Sequence, residues 1–156
     1  MIAATFLALL CLASVLLAWI DLRYGIIPDW LNLSIAVIGL ARAILFDGWE
    51  AALGVGCEAI AVGAIAWLLR RLYFMFRKYQ GLGLGDIKLL AASGVWIGLA
   101  GVPVQLLVGS LAALAAACGL HLAGRTMTRQ TSLPFGPFLA LGLLVTLILQ
   151  QTGLIG

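Results

Sequence analysis

The chain begins with an apolar stretch, IAATFLALLCLASVLLAWI (residues 2–20), that contains no charged side chain. An α-helix needs about 20 such residues to cross the hydrocarbon core of a bilayer. A secretory signal peptide would carry Lys or Arg before an apolar core of roughly 7–15 residues. Here the nearest basic residue, Arg23, follows the stretch instead. The stretch therefore predicts a retained membrane-spanning helix whose N-terminus lies outside the cytoplasm.

The rest of the chain has the same character. Of its 156 residues, 64% are hydrophobic and only 10% are charged, and the mean hydropathy is +1.18. A soluble domain is typically about 45–50% apolar and about 25% charged. This composition excludes a soluble globular domain and a disordered chain, and three cysteines are too few for a disulfide scaffold. At this length we expect one domain, residues 1–156.

Apolar runs continue along the chain, separated by breaks that hold most of the charges and turn-forming residues. The runs are residues 2–20, 31–46, 51–69, 87–99, 102–123 and 133–149. Their lengths are those of helices rather than strands, and together they account for most of the chain. We therefore predict an all-α, polytopic integral membrane helix bundle of about six transmembrane helices.

The charges of the connecting segments predict which way the bundle faces. Alternate connections are strongly basic, with Arg23, Arg70, Arg71, Arg77, Lys78, Arg125 and Arg129. The other connections hold Asp47 and Glu50 and no Lys or Arg. Because cytoplasmic loops of membrane proteins are enriched in Lys and Arg, the basic connections are predicted to be cytoplasmic and both termini to lie outside. The net charge of +3 is thus assigned to membrane topology and not to nucleic-acid binding.

Two acidic residues on the predicted cytoplasmic side, Asp21 and Asp86, stand at the ends of apolar runs. A carboxyl group is costly to desolvate there, so each is a candidate functional residue. Asp86 follows GLGLG (residues 81–85), whose glycines permit close approach of a substrate backbone. The run after it would form a helix of about 20 Å, against a hydrocarbon core of about 30 Å. Either Asp86 is recessed below the headgroups, or the helix continues to Pro103.

Two carboxyl groups set close together in a partly desolvated notch are suited to peptide hydrolysis. Such a pair shares a proton and titrates as a unit. The ionised member can take a proton from water while the protonated member polarises a peptide carbonyl. This chemistry needs no metal and no cofactor. Sequence alone leaves open whether residues 65 positions apart meet.

Simpler roles stand beside the catalytic one. Asp29 follows Pro28 at the start of the second run, where we expect it to be an N-cap. Asp86 could likewise cap a helix, Asp21 could mark where the first span leaves the bilayer, and Lys88 could be an interface residue. Two alternative functions follow. A small proton-coupled transporter would place its acids near the bilayer midplane, and a non-enzymatic subunit of an assembly machine would use them only as caps and anchors.

Metal binding is not expected. The cysteines, Cys11, Cys57 and Cys118, lie far apart in apolar runs, with no C-x-x-C pair, and His121 is the sole histidine. Near the end of the chain, PFGP (residues 134–137) places two prolines around a glycine at the start of the last run. Because proline donates no backbone hydrogen bond, this turn is either an ordinary helix start or a wall of the site.

Three blocks of the sequence resemble the type IV prepilin peptidases, which are membrane aspartic proteases of the GxGD class. The blocks are DLRYGIIPD (residues 21–29), GLGDIKLLAA (residues 83–92) and LPFGPFLA (residues 133–140). The resemblance implies that Asp21 and Asp86 are the catalytic pair. Other residues of the second and third blocks would bind the substrate or shape the site: Gly83, Gly85, Pro134, Phe135, Gly136 and Pro137.

The same resemblance implies the reaction and the place where it occurs. The substrate would be a prepilin or pseudopilin, cut at the cytoplasmic face of the bacterial inner membrane after the glycine that ends a short basic leader. Both termini would then be periplasmic. Long members of the family carry an N-terminal domain with paired C-x-x-C motifs, associated with methylation of the new pilin N-terminus. Since this chain has no such motifs, we expect a short, peptidase-only form without methyltransferase activity.

Overall fold

The computed structural model describes residues 2–77, 83–122 and 134–155. Within these ranges the regular elements are α-helices: α1 (Ile2–Tyr24), α2 (Asp29–Phe46), α3 (Gly48–Arg77), α4 (Leu84–Leu122) and α5 (Gly136–Gln151). The first four are long and apolar enough to cross a membrane, and α5 is a shorter apolar helix. The predicted all-α membrane bundle is confirmed. The number of crossings, the positions of the termini and the single domain stay predictions.

Apolar side chains cover the outside of the bundle as well as its interior. Leu12, Ile60 and Leu114 are each more than half exposed. Inside, Leu89 and Leu139 are completely buried in one core that receives side chains from all five described helices. A chain with this surface is stable where hydrocarbon, rather than water, surrounds it.

Helix α4 reverses direction at Gly98. The backbone of Gly98 has φ +66° and ψ 176°, a conformation that favours glycine. Ser93 precedes Gly98 in the helix and Gln105 follows it. The side-chain amide of Gln105 nevertheless donates a hydrogen bond to Ser93 Oγ at 2.9 Å. Residues twelve positions apart in a straight helix would be separated by about 18 Å. Helix α4 is therefore a hairpin of two arms, residues 84–97 and 99–122.

This reversal locates a boundary that the sequence predicted only roughly. The two arms of α4 correspond to the fourth and fifth apolar runs. The expectation that the break falls at residues 101–103 is wrong, and so is the alternative that one helix continues from Asp86 to Pro103. The turn needs a residue with a positive φ, which Gly98 supplies, whereas Pro103 lies within the second arm.

The reversal is stabilised from α3 by Glu58. Its carboxylate accepts a hydrogen bond from the backbone N–H of Leu99 at 2.7 Å. That N–H begins the second arm, so it has no carbonyl partner earlier in the same arm. An acidic side chain at a helix N-terminus also interacts favourably with the helix dipole. The second arm thus begins with a satisfied backbone donor.

Helix α5 packs on the α4 hairpin with unusually close backbones. A Cβ atom at Gly109 would lie 3.0 Å from the carbonyl oxygen of Phe138, and one at Gly142 would collide with the carbonyl oxygen of Gln105. The Gln105 amide also donates to the carbonyl oxygen of Leu139 at 3.1 Å. One side chain therefore joins both arms of α4 to α5 and fixes the height of α5 in the bundle.

Four helix termini meet at one end of the bundle, which we call the site end. They are the C-terminus of α1 and the N-termini of α2, α4 and α5. Helix α3 runs back towards this end, so Arg70 and Arg71 lie there, while Asp47 and Glu50 lie at the opposite end. Residues 70–77 continue α3 without a break. The described residues of the connections that were predicted to be cytoplasmic therefore lie at the same end of the bundle. Which side of the membrane this end faces stays a prediction.

The α4–α5 packing is tested by adding one methyl group. In Gly142→Ala the new Cβ meets the Gln105 carbonyl, so we expect the free energy of unfolding to fall by about 1–3 kcal/mol. Gly119→Ala is the matched control, because nothing lies within 4 Å of a Cβ there and alanine favours the helix. Denaturation in detergent, followed by tryptophan fluorescence, measures both. Equal stability of the two variants would contradict this packing.

Candidate active site

Asp21 lies in the last turn of α1 and is 5% exposed. Its carboxylate oxygen Oδ2 accepts a hydrogen bond from the backbone N–H of Gly136 at 3.0 Å. Gly136 is the first residue of α5, where backbone N–H groups have no partner within the helix. The N-terminus of α5 therefore satisfies and orients the Asp21 carboxylate.

Only glycine fits at position 136. A Cβ atom there would lie 2.5 Å from Asp21 Oδ2 and 2.9 Å from Ile27 Cδ1. The prolines beside it have different positions: Pro134 lines the cavity described below, whereas Pro137 lies in the first turn of α5, where its missing N–H costs no hydrogen bond. The PFGP turn is thus both a helix start and a wall of the site.

Asp86 lies in the first turn of α4 and is partly buried. Its carboxylate accepts a hydrogen bond from the backbone of Gly83, the residue just before the helix. This is a capping contact, in which an acid of the first turn bonds back to the residue preceding the helix. The capping role considered for Asp86 is therefore present, and the same contact fixes the side chain beside the cavity.

The side chain of Ile27 packs between Gly85, next to Asp86, and Gly136, next to Asp21. A Cβ at Gly85 would lie 2.9 Å from Ile27 Cβ, and the Ile27 Cδ1 atom approaches Gly136 on the other side. The glycines of GLGD therefore permit close approach of the chain's own groups, with Gly83 beside Asp86 and Gly85 beside Ile27. Sequence reasoning missed Ile27, and its only signal was its place inside the first block, between Asp21 and Asp29.

The two acids line one cavity at the site end, which we call the aspartate cavity. Its volume is about 480 Å³. Asp21 and Asp86 are close enough in it to interact electrostatically. The wall comes from the start of α4, the segment between α1 and α2, and the turn before α5, and includes Gly25, Ile26, Ile27, Gly83, Leu84, Gly85, Pro134 and Phe135. Residues 65 positions apart in the chain therefore share one solvent-accessible space, as hydrolysis by an acid pair requires.

Asp29 does not have the role expected for it. Pro28 is the residue that precedes α2, and no side chain caps that helix. Instead, both carboxylate oxygens of Asp29 accept hydrogen bonds from Lys88 Nζ at 2.7 Å. The N-cap prediction is wrong because the helix begins one residue earlier than the prediction assumed, which leaves Asp29 free to reach α4. The pair borders the aspartate cavity.

No arrangement for a metal is found in the part of the chain that the structure describes. There, no group of three or more His, Cys, Asp or Glu side chains is placed to hold an ion. The cysteines are exposed on separate helices, α1, α3 and α4. The ionisable side chains that line the aspartate cavity are Asp21, Asp29, Asp86 and Lys88.

The family model and the curated relatives that match this chain name the same protein family. Residues 8–120 match the model of the type IV leader peptidase family. The chain is 38% identical over 144 residues to a prepilin leader peptidase/N-methyltransferase of Burkholderia pseudomallei, an alignment that covers 88% of this chain and 44% of the relative. It is 36% identical over 136 residues to the protein of the same name from Escherichia coli, with 84% and 57% covered.

The coverage of these relatives is partial. The chain spans about half the length of the curated relatives that it matches. The matched residues 8–120 include both Asp21 and Asp86, while the PFGP turn lies beyond them. No solved structure matches the chain.

The Lys88–Asp29 pair is expected to contribute little to folding. The two side chains are 50% and 72% exposed, and exposed ion pairs typically stabilise a protein by about 0–1 kcal/mol. A double-mutant cycle of Lys88→Met and Asp29→Asn, measured by unfolding in detergent, should give a coupling energy within this range. A much larger coupling would show that the pair holds α2 and α4 together.

Proposed function

Since the chain belongs to the type IV leader peptidase family, we propose that it is a membrane aspartic endopeptidase that cleaves the leader from type IV prepilins or pseudopilins. The observation that carries the proposal is the aspartate cavity, where Asp21 and Asp86 from separate sequence blocks come together. The proposal concerns hydrolysis alone. The absence of methyltransferase activity stays a prediction.

The carboxyl pair accounts for each step of the hydrolysis. One aspartate, ionised, takes a proton from a water molecule as the water oxygen attacks the peptide carbonyl carbon. The other, protonated, donates a hydrogen bond to the carbonyl oxygen and stabilises the negative charge that develops there. When the tetrahedral intermediate collapses, the C–N bond breaks and the leaving amine receives a proton from the carboxyl group that took one from water. Neither step leaves an intermediate bound covalently to the protein.

Backbone contacts support this use of the two acids. Each carboxylate is oriented by a backbone hydrogen bond at the start of a helix, Asp21 by Gly136 and Asp86 by Gly83. Preorganised groups of this kind do not have to reorient during the reaction. The first arm of α4, residues 84–97, is only about 20 Å long as a helix, against a hydrocarbon core of about 30 Å. This length agrees with an Asp86 that is recessed below the headgroups. The basic residues at the site end, such as Arg70 and Arg71, favour a site that faces the cytoplasm of the bacterial inner membrane.

The alternative of a proton-coupled transporter has weaker support. Such a protein places its acids near the bilayer midplane, where half-helices meet. In this bundle Asp21 lies in the last turn of α1 and Asp86 in the first turn of α4. Both acids are therefore at the ends of their helices, and they share a cavity that is accessible from the site end.

Replacing either acid by its amide tests the proposed chemistry. Asp21→Asn and Asp86→Asn keep the size of the side chain and its ability to accept a backbone hydrogen bond, so both variants should insert and fold. Each should lower the cleavage rate of a prepilin by at least about 100-fold, because an amide does not transfer the required proton. Gel analysis of leader removal in detergent measures this rate. Asp47→Asn, at the opposite end of the bundle, is the control that should cleave normally. Undiminished cleavage by either active-site variant would refute the assignment.

Gly136→Ala tests the positioning of Asp21. The added Cβ would displace the carboxylate from the N-terminus of α5. We expect a fall in kcat of roughly 10- to 100-fold, since small displacements of catalytic groups are costly. Gly119→Ala adds the same methyl group in open space and should cleave at the wild-type rate. If Gly136→Ala is as active as this control, the hydrogen bond to Gly136 is not needed for catalysis.

A further inference from the structure

A small polar pocket lies at the end of the bundle opposite to the site end. Its volume is about 200 Å³, and we call it the Arg42 pocket. Side chains of α1, α2, the first arm of α4 and α5 form its wall: Leu7, Arg42, Trp96, Leu147, Gln150 and Gln151. It shares no lining residue with the aspartate cavity. The proposed cleavage therefore gives this pocket no role.

Arg42 is a basic residue at the end of the bundle where basic residues are not expected. It lies one turn before the end of α2 and is partly buried. The other basic residues that the structure describes lie at the site end: Arg23, Arg70, Arg71, Arg77 and Lys88. The enrichment of Lys and Arg on the cytoplasmic side accounts for that group but not for Arg42. A charged side chain within a membrane-spanning helix normally pairs with another group or borders a water-filled cavity.

The Arg42 guanidinium has no partner within the described part of the chain. It forms neither a hydrogen bond nor an ion pair there. Glu58, an acid at the same end, instead accepts the backbone N–H of Leu99. Asp47 follows Arg42 by five positions, which places it about 140° away around the axis of α2. The pocket is therefore bordered by a cation whose charge no described acid neutralises.

Hydrogen bonds fix two walls of the pocket. The indole N–H of Trp96 donates to the carbonyl oxygen of Ile35 at 2.9 Å, and the side-chain amide of Gln150 donates to the carbonyl oxygen of Ile97 at 2.9 Å. A Cβ at Gly39 would lie 2.7 Å from Trp96 Nε1, so α2 and α4 are in close contact beside the pocket. Binding to walls that are already fixed costs little conformational entropy.

The polar side chains of the pocket favour an anion with several oxygen atoms. A guanidinium presents its N–H groups in a planar fork that bonds two oxygens of a phosphate at once. Gln151, the exposed last residue of α5, adds an amide donor. Helix α2 has 18 residues, a length of about 27 Å against a hydrocarbon core of about 30 Å. Arg42 therefore lies near the boundary of the hydrocarbon, where the phosphates of lipid headgroups begin.

We propose that the Arg42 pocket binds a phosphate group, with Arg42 in a bidentate ion pair to two of its oxygens and the Gln151 amide donating to a third. The phosphate belongs to the headgroup of a membrane lipid or is free in solution, two sources with the same chemistry. Once bound, it neutralises Arg42 and connects α2 to α5 at the end opposite to the aspartate cavity. This binding does not depend on the proposed cleavage.

Thermal unfolding in a non-ionic detergent and phosphate-free buffer tests the binding, because a ligand of the folded state raises the unfolding midpoint. The probes are dihexanoyl phosphatidylglycerol, inorganic phosphate at constant ionic strength, and dihexanoylglycerol, which lacks the phosphate. A rise with phosphatidylglycerol alone assigns a lipid headgroup, and a rise with inorganic phosphate assigns the free ion. Dihexanoylglycerol should give no rise. No rise with either phosphate probe, or an equal rise with dihexanoylglycerol, would overturn the proposal.

Substitutions locate the binding in this pocket. Arg42→Gln should weaken the affinity for the phosphate probe at least about 10-fold, because it removes the charge and the fork, and Gln151→Leu should weaken it several-fold. Arg71→Gln removes the same charge at the site end and is the matched control, with the affinity of the wild type. Undiminished affinity in Arg42→Gln would refute the proposal. An equal loss in Arg71→Gln would also refute it, since binding would then follow the net charge of the protein.

The same measurement without any phosphate probe separates binding from a structural role. Arg42→Gln should then unfold at the wild-type midpoint or above it, because the guanidinium has no partner within the described residues. A lower midpoint would show that Arg42 supports the fold through a contact inside the protein, and would overturn the proposal. Arg42→Lys keeps the charge but loses the fork, so its affinity should lie between those of the wild type and Arg42→Gln. Wild-type affinity in Arg42→Lys would contradict the bidentate pair.

Discussion

The hydrogen bond from the Gly136 amide to Asp21 is the contact on which the site depends. It joins the end of α1 to the beginning of α5 across 115 residues of sequence. It forms only because α5 has a fixed position along the α4 hairpin. The Gln105 hydrogen bond to the Leu139 carbonyl and the close contact of Gly142 with the Gln105 backbone together set that position. The same hairpin begins with Asp86. Packing in the middle of the bundle therefore decides where two carboxyl groups meet at its end.

Several interior polar groups of the bundle form hydrogen bonds within the protein, as hydrocarbon surroundings favour. Gln105 bonds to Ser93 and to the Leu139 carbonyl, and Glu58 accepts the first N–H of the second arm. Other buried polar atoms have no hydrogen-bond partner among the described residues: Ser14 Oγ, both polar atoms of the Asn32 amide, and Gln105 Oε1.

Much of the architecture was predictable from the sequence because hydrophobic run length and charge distribution are local properties of a membrane chain. The apolar runs followed from these properties. The resemblance of three blocks implied that Asp21 and Asp86 act as a pair, but the residues alone left open whether the two side chains meet. The exact turn in α4 was not predictable, because both Gly98 and the 101–103 segment offered a break. The role of Asp29 was missed for a related reason: its partner Lys88 is 59 residues away, and capping considers only neighbours in the chain.

The sequence by itself determined that this is a helical membrane protein with acids at the ends of its apolar runs, because the cost of placing charge in hydrocarbon acts on each segment separately. Only the tertiary structure decided that Asp21 and Asp86 share a cavity and that Ile27 lies between Gly85 and Gly136. These features arise from contacts between helices. The contacts depend on how closely two backbones approach and on where one helix lies along the axis of the next, and no single segment of sequence specifies either.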